Sequence, residues 1–548
     1  MEKVEVKRWW WLLLMVVVIW FGTLEYRKLI KPDEGRYAEI PREMVASGDW
    51  VTPRLNNLKY FEKPPLQYWA TATAFTLLGE HHWTSRLWPA LTGFAGLLLV
   101  WFAGTRLFGR EAGQYAALIL GSSLLYVLIG HINTLDMGVT FFLTLGIVGL
   151  LLGQQADADT RTRRNWIYCA WIALGLAVLS KGLIGLVLPA AALVIYSVLQ
   201  RDLTPWKRLN LVPGLLLFLL VTAPWFILVM KANPEFFERF FIYEHYTRFS
   251  TKDLGRYQPW YYFIPILIAG MFPWTILMFD TLLRTWKSAA YIGKIFNPER
   301  FLLIWVVFIY VFFSVSGSKL PSYLLPMFPA LALLMGKRLA EIRERVLLWQ
   351  LAPALLAPVV TFGFAPFTAQ LAETPLKIEM YRDYATWAVV AALVILFGLI
   401  SGMALLARRK KSLAVLVVTL SSLIGAQIVL SGHDTVARGR SAYHIAESIR
   451  SYVKPDMPLY SVGTYEQTLP FYLKRTFTLV DYQNEMAFGI MQEPQLWIPD
   501  IASFAKIWNK QPAALAIMPV QLYPQLTQQG VAMKMIFEDT QHIVVIKP

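Results

Sequence analysis

The densest chemistry in the sequence lies between Lys31 and Trp69, where K-P-D-E-G-R-Y-A-E-I-P-R-E-M is followed by N-L-K-Y-F-E-K-P-P-L-Q-Y-W. Asp33 is a carboxylate set among Glu34, Arg36 and Tyr37. That setting suits ionic recognition or proton transfer at an interface. Its plainer reading is the N-cap of a helix that starts at Glu34. In Glu62-Lys63-Pro64-Pro65 the prolines open a helix, where a missing N–H costs little. Lys63 offers a compact charge of the kind that meets a lipid phosphate.

Further charged turns follow. H-I-N-T-L-D ends on Asp136, and Ser180-Lys181-Gly182 places a lysine between two apolar runs. Lys181 is as readily a snorkelling side chain as a functional one, but it could pair with Asp136 around one polar cavity. The stretch Glu244 to Tyr257 carries His245, Arg248, Lys252 and Arg256, groups that bind phosphate or sugar, although a solvated loop has the same composition. Glu62 and His245 could share a metal ion, with no local ligand spacing to support it. In S-V-S-G-S-K-L-P-S-Y-L-L-P-M-F-P, Lys319 and Tyr323 lead into a proline-bearing apolar segment.

The elements that hold these residues must cross a bilayer. Of 548 residues, 56% are hydrophobic and 16% charged, against about 45–50% and 25% in soluble domains. Mean hydropathy is +0.46. Apolar windows run near 9–29, 86–105, 112–131, 136–154, 165–180, 182–200, 211–230, 260–283, 301–316, 320–336, 346–366, 386–407 and 412–431. These predict about 13 spans. The window 66–79 is too short. Treating it as an interfacial helix makes basic loops alternate with basic-poor ones, so the clusters around Arg106, Arg163, Lys207, Lys287, Lys337 and Arg409 mark the cytoplasmic face. The first external loop is then 30–85, and the C-terminus lies outside. Lys7-Arg8 with the run after it reads as a retained first span rather than a cleaved signal.

From Gly432 on there are 10 basic and 10 acidic residues, so the net charge of +15 belongs to the membrane part. It reports topology, and nucleic-acid binding is discarded. Short runs at 459–463, 476–480, 513–518, 532–537 and 542–546 alternate with helical patterns near 441–453, 485–492 and 501–510. That predicts a small α/β domain over 432–548. The single cysteine, Cys169, excludes an internal disulfide.

D-E-G-R-Y-A-E-I-P-R-E-M, Y-F-E-K-P-P-L-Q-Y-W, the Asp136 turn, S-K-G and S-K-L-P-S-Y-L-L-P-M-F-P-A-L-A together resemble the lipid-phosphate-dependent membrane glycosyltransferases of the protein O-mannosyltransferase-like superfamily. Within it the chain looks most like the bacterial lipid A 4-amino-4-deoxy-L-arabinose transferases. The resemblance implies a polytopic α-helical protein of GT-C type in the bacterial inner membrane, with a transmembrane domain over 1–431 and a periplasmic α/β domain over 432–548. It implies an undecaprenyl phosphate donor, a lipid A phosphate acceptor, inversion at the anomeric carbon and a part in polymyxin resistance. A monomer is expected; no cofactor is required, and a divalent metal is left open.

Under that resemblance Asp33 and Lys63 are the expected catalytic residues. Glu34, Arg36, Tyr37, Tyr60, Glu62, Asp136, Lys181, Arg248, Arg256, Lys319 and Tyr323 are the expected substrate-binding ones. Cations must meet the leaving phosphate as the anomeric bond breaks, which falls to Lys63, Arg36 and Arg248. Asp33 stays open between a base and a group that holds the donor's ammonium. The rival readings are a related transferase acting on a protein or polymer hydroxyl, and a lipid-linked sugar flippase.

Overall fold

The computed structural model describes residues 13–156, 158–247, 258–288 and 296–548. Two compact units divide the chain. One comprises Met1–Tyr26, Lys63–Gln67 and Arg86–Thr435, and the other Arg27–Glu62, Tyr68–Ser85 and Val436–Pro548. The first loop of the sequence is thus shared between the units, most of it belonging to the second.

In the first unit every apolar window from residue 86 onward is helical. Among the described residues seven helices are long and apolar enough to cross a bilayer, and nine if two bent pairs each count as one. The bends have local causes. Arg110–Ser122 and Leu124–Gly130 meet at 66°, where Ser123 adopts an extended backbone (φ −69°, ψ 120°). Trp260–Gly270 and Thr275–Lys287 meet at 114° around Pro273, which has no N–H to continue a helix. Pro321, Pro326 and Pro329 likewise confine Pro321–Met327 to a 3-10 turn before the helix Phe328–Glu341.

The helix Leu211–Ala232 turns Val212, Leu216 and Leu220 outward at 74%, 64% and 72% exposure. Spaced four apart, they form one apolar stripe. Such a face would aggregate in water and is the natural surface against lipid. The protein is membrane-embedded. Leu66–Leu78 is a helix of 13 residues, short of the ~20 that a span requires.

The second unit is built on a sheet. An antiparallel hairpin comes first in the chain, β1 (Arg54–Leu55) with β2 (Leu58–Lys59). Asn56 and Asn57 turn it at φ 53° and 64°, the positive angles that a two-residue primed turn demands and asparagine tolerates. A six-stranded sheet follows, containing β3 (Leu459–Val462), β4 (Thr478–Val480), β5 (Trp497–Ile498), β6 (Leu515–Pro519), β7 (Lys534–Glu538) and β8 (His542–Ile546). Its order is β5-β4-β3-β6-β8-β7. The β3, β4, β5 and β6 pairings are parallel, and β8 runs antiparallel to β6 and β7.

Alternation explains the core. Leu459, Leu515, Ile517 and Val544 pack into one cluster, which also takes in Ala38 and Phe75. Tyr460, Val462, Ala516, Met518, Ile543 and Val545 pack on the other face with Phe504 and Trp508 of the helix Ile501–Lys510. With both faces covered, the strands read as continuous apolar runs. Five strands and three helices fall where the sequence patterns put them. Two-residue β5 and the helices Leu469–Leu473 and Leu522–Gln528 are too short to show a period.

Candidate functional site

In the second unit the site begins with the helix Asp33–Ser47, whose backbone starts at Asp33 with Pro32 in the cap position and no side-chain cap bond. The capping account of Asp33 therefore fails. Its carboxylate is 42% exposed and lies 3.7 Å from Arg36. Glu34 is spent locally: fully buried, its carboxylate accepts the Ile30 N–H at 3.2 Å.

Arg36 is buried, and its guanidinium pairs with Glu485. Its charge centre sits 6.0 Å from the Tyr37 ring and 5.7 Å from the Tyr60 ring. Gln467 donates to the other oxygen of Glu485 at 2.9 Å. Burial works against the Arg36 charge, but Tyr60, Glu485, Tyr37 and Glu62 outweigh it and hold its pKa above the ordinary value. Burial pushes the phenols of Tyr37, Tyr60 and Tyr68 well up, so they remain neutral donors. Arg36 Nε and the hydroxyls of Tyr60 and Tyr68 are buried without hydrogen-bond partners among the described residues. Orphaned donors of this kind are costly unless a ligand takes them up.

Gly35 is where this turn meets the sheet domain. A Cβ there would lie 2.7 Å from the backbone carbonyl of Gln467 and 2.8 Å from Thr468 Cγ2. Backbone atoms cannot swing aside. Gly35→Val is expected to lower stability by about 1–3 kcal/mol. Thermal unfolding of the full-length protein checks it, and an unchanged midpoint would count against this packing.

The helix below Arg36 also carries a buried acid pair. Glu39 pairs with Arg42 at 2.5 Å. Glu43 accepts the N–H groups of Asn56 (2.5 Å) and Asn57 (2.7 Å), tying the hairpin to the helix. Burial and the neighbouring Glu39 nonetheless push the Glu43 pKa up to about 8.

In the first unit Asp136 opens the helix Asp136–Gly153, and Lys181 closes Thr160–Lys181. The two side chains form an ion pair. Each charge suits its helix end, a preference of about 0.3–1 kcal/mol. Lys181 Nζ also lies 4.8 Å from the Tyr323 ring. Lys181 and Asp136 thus form the pair that the sequence suggested. Lys63 Nζ stands 3.9 Å from Glu244, which Arg239 reaches at 3.2 Å. Lys319 is drawn inward, donating to the carbonyls of Gln258 (2.8 Å) and Ser316 (2.6 Å). His131, in the Asp136 turn, is a structural knot: its ring nitrogens contact the carbonyls of Val127 and Trp20 at 2.6 Å and Gln427 at 2.8 Å.

Arg248 and Arg256 lie outside the described residues, as does the side chain of His245, and with it the Glu62–His245 metal pairing. Among the described residues there is no group of three or more His, Cys, Asp or Glu that could hold a metal. The sequence reading missed Glu485 and Gln467, which sit more than 430 positions from Arg36 with no local signal. It passed over Glu244, although that residue opens the polar stretch already singled out.

The same architecture occurs in the archaeal oligosaccharyltransferase AglB from Archaeoglobus fulgidus, at a TM-score of 0.51 and 12% identity over 94% of this chain and 70% of that one. This is the GT-C fold of polytopic membrane glycosyltransferases. Residues 7–238 match the model of dolichyl-phosphate-mannose-protein mannosyltransferases, and residues 445–547 that of the aminoarabinose transferase C-terminal domain. An undecaprenyl phosphate-α-4-amino-4-deoxy-L-arabinose arabinosyl transferase of Proteus mirabilis is 30% identical over 88% of this chain and 87% of its own length. For the Aeromonas salmonicida protein of that name the identity is 37%, and the match spans 57% of this chain and 56% of that protein. ArnT from Cupriavidus metallidurans, solved bound to undecaprenyl phosphate, superposes with a TM-score of 0.92 at 38% identity, covering 98% of each chain. The chain belongs to the family of undecaprenyl phosphate-aminoarabinose arabinosyl transferases.

Proposed function

We propose that this protein moves 4-amino-4-deoxy-L-arabinose from undecaprenyl phosphate to a phosphate of lipid A, as a monomer in the bacterial inner membrane. In this reading thirteen spans over 1–431 carry the chemistry to the periplasmic face, where the domain 432–548 also lies. The observation that carries it is Arg36: a buried guanidinium between two tyrosine rings with one donor unfilled. Beyond its pairing with Glu485, the unfilled Nε suits a further anion. The relative bound to undecaprenyl phosphate supports a lipid phosphate as that anion.

Breaking the anomeric C–O bond places negative charge on the departing lipid phosphate while the sugar becomes oxocarbenium-like. Lys63, Arg36 and Arg248 meet that charge, and fixed cations stabilise it more than mobile water does. Lys319 and Arg256 assist with the phosphates. Tyr37, Tyr60 and Tyr323 give ring faces and hydroxyls to sugar and lipid, and Glu34 and Glu62 are further substrate-binding residues. Asp136 and Lys181, paired with one another, are substrate-binding residues as well. A lipid A phosphate attacks as an anion and requires no base. Asp33, the exposed carboxylate of its turn, then holds the donor's ammonium and aligns the reacting atoms. The amino sugar masks a phosphate, weakening attraction for cationic peptides such as polymyxin.

Mass spectrometry of lipid A tests this in a strain that makes the lipid-linked donor but lacks its own transferase. Wild-type chain is expected to restore aminoarabinose-modified lipid A, and Asp33→Asn, expressed equally, to lose it. Unmodified lipid A beside a well-expressed wild type would sink the reading and turn attention to hydroxyl acceptors.

A further inference from the structure

In open α/β sheets, ligands settle in the crevice at the carboxyl ends of the parallel strands, where connections leave in opposite directions. Here that point is at β3, with β4 on one side and β6 on the other. The loop leaving β3 carries Glu466 and Gln467, and the segment leaving β4 carries Glu485. His542 opens β8 at the same edge, its backbone paired with Pro519 at the end of β6.

The crevice is filled from within the unit. Lys31 Nζ reaches Glu466 at 2.5 Å, and its backbone N–H donates to the Arg440 carbonyl at 2.8 Å. His542 Nε2 lies 3.1 Å from the same Glu466 oxygen, with Asp539 3.6 Å from its other nitrogen. Glu485, steadied by Gln467, takes Arg36. Gly35 lies against the backbone of Gln467 closely enough to exclude any side chain. Two residues before Asp33 and three after it, a basic side chain is therefore anchored to an acidic residue of the sheet domain. Between those anchors the turn has little freedom.

We infer that Glu466 and Glu485 are positioning residues, which grip Lys31 and Arg36 so that the ligand edge of the α/β domain holds the Asp33–Tyr37 turn in its working geometry. The domain acts as a clamp on the reacting turn. This rests on the reading of Asp33 and Arg36 as site residues. A shift of about 1 Å in such groups costs up to ~10²-fold in rate without abolishing binding.

The test uses the full-length protein in lipid nanodiscs, with Glu466→Gln, Glu485→Gln, Gln467→Ala and, as control, Glu447→Gln, whose half-exposed carboxylate pairs with the exposed Arg450 at 2.9 Å. Hydrogen–deuterium exchange of the 29–45 peptides reads the clamp directly. Steady-state transfer from the lipid-linked donor reads its consequence. Exchange over 30–37 is expected to rise at least about fivefold in both Glu variants and less in Gln467→Ala. Turnover is expected to fall about tenfold or more, with the donor KM within about threefold of wild type. Glu485→Asp should recover part of the turnover, and Glu447→Gln should change nothing. Unchanged exchange, or a KM rise with kcat intact, overturns the inference. If Glu466→Gln does not fold, Glu485→Gln and Gln467→Ala decide alone. Raised exchange beside a wild type that transfers no aminoarabinose would leave the clamp standing and remove the proposed function.

Discussion

Replacing Arg36 with alanine is expected to lower transfer by about 10²–10³-fold, the usual loss when one fixed partner of a developing anion is removed. Lys63→Ala is expected to fall in the same range. Arg36→Lys should recover little. The guanidinium serves Glu485 through one nitrogen and leaves Nε unfilled between two tyrosine rings. A lysine ammonium has neither the planar fork nor the reach to do both. Arg36→Ala should also strain the fold, because the largely buried Glu485 loses the guanidinium that balances its charge and keeps the neutral Gln467. Thermal unfolding must therefore accompany the kinetics. A lysine variant as active as wild type would remove Arg36 from the chemistry and leave it a structural residue.

The second large effect is on stability against pH. His542, held between Glu466 and Asp539, has its pKa raised to about 9 although burial alone would lower it. Its stabilisation is fully present below the unfolded value of about 6.5 and is lost as pH rises through about 9, roughly 3 kcal/mol in all. Glu43 slopes the same way over a lower window. Its pKa, raised to about 8, makes ionisation costly in the folded state, so stability falls from about pH 4.5 to 8. The two are separated by variant: His542→Gln should remove its share of the fall between about pH 6.5 and 9, and leave intact the fall from about pH 4.5 to 6.5 that belongs to Glu43. Exchange of the β3 and β8 amides across that range measures it. An identical fall in wild type and His542→Gln would show that the histidine is not held charged.

Legibility in the sequence followed the range of the interactions. The membrane helices could be read because an apolar window is a local property, and the strands of the C-terminal domain because their side chains alternate between two covered faces. Asp136 and Lys181 were visible as a candidate pair, since each marks the end of its own apolar run. Their ion pair beside Tyr323 required two helices to end at one level. Lys319 was visible only as a cation near an interface. The carbonyls of Gln258 and Ser316 that it satisfies depend on how a loop folds back.

What the sequence by itself determined is the membrane class, the helical positions, the small α/β tail and the residue types at each turn, all carried by hydropathy, periodicity and short motifs. Only the tertiary structure decided which charges are spent and which are left over. Glu34 disappears into its own helix start, Asp33 is freed from capping because Pro32 occupies that place, and Arg36 acquires Glu485 from 449 positions away. The physical reason is that burial and pairing set the chemistry of an ionisable group, and both are properties of what packs against it rather than of its neighbours in the chain.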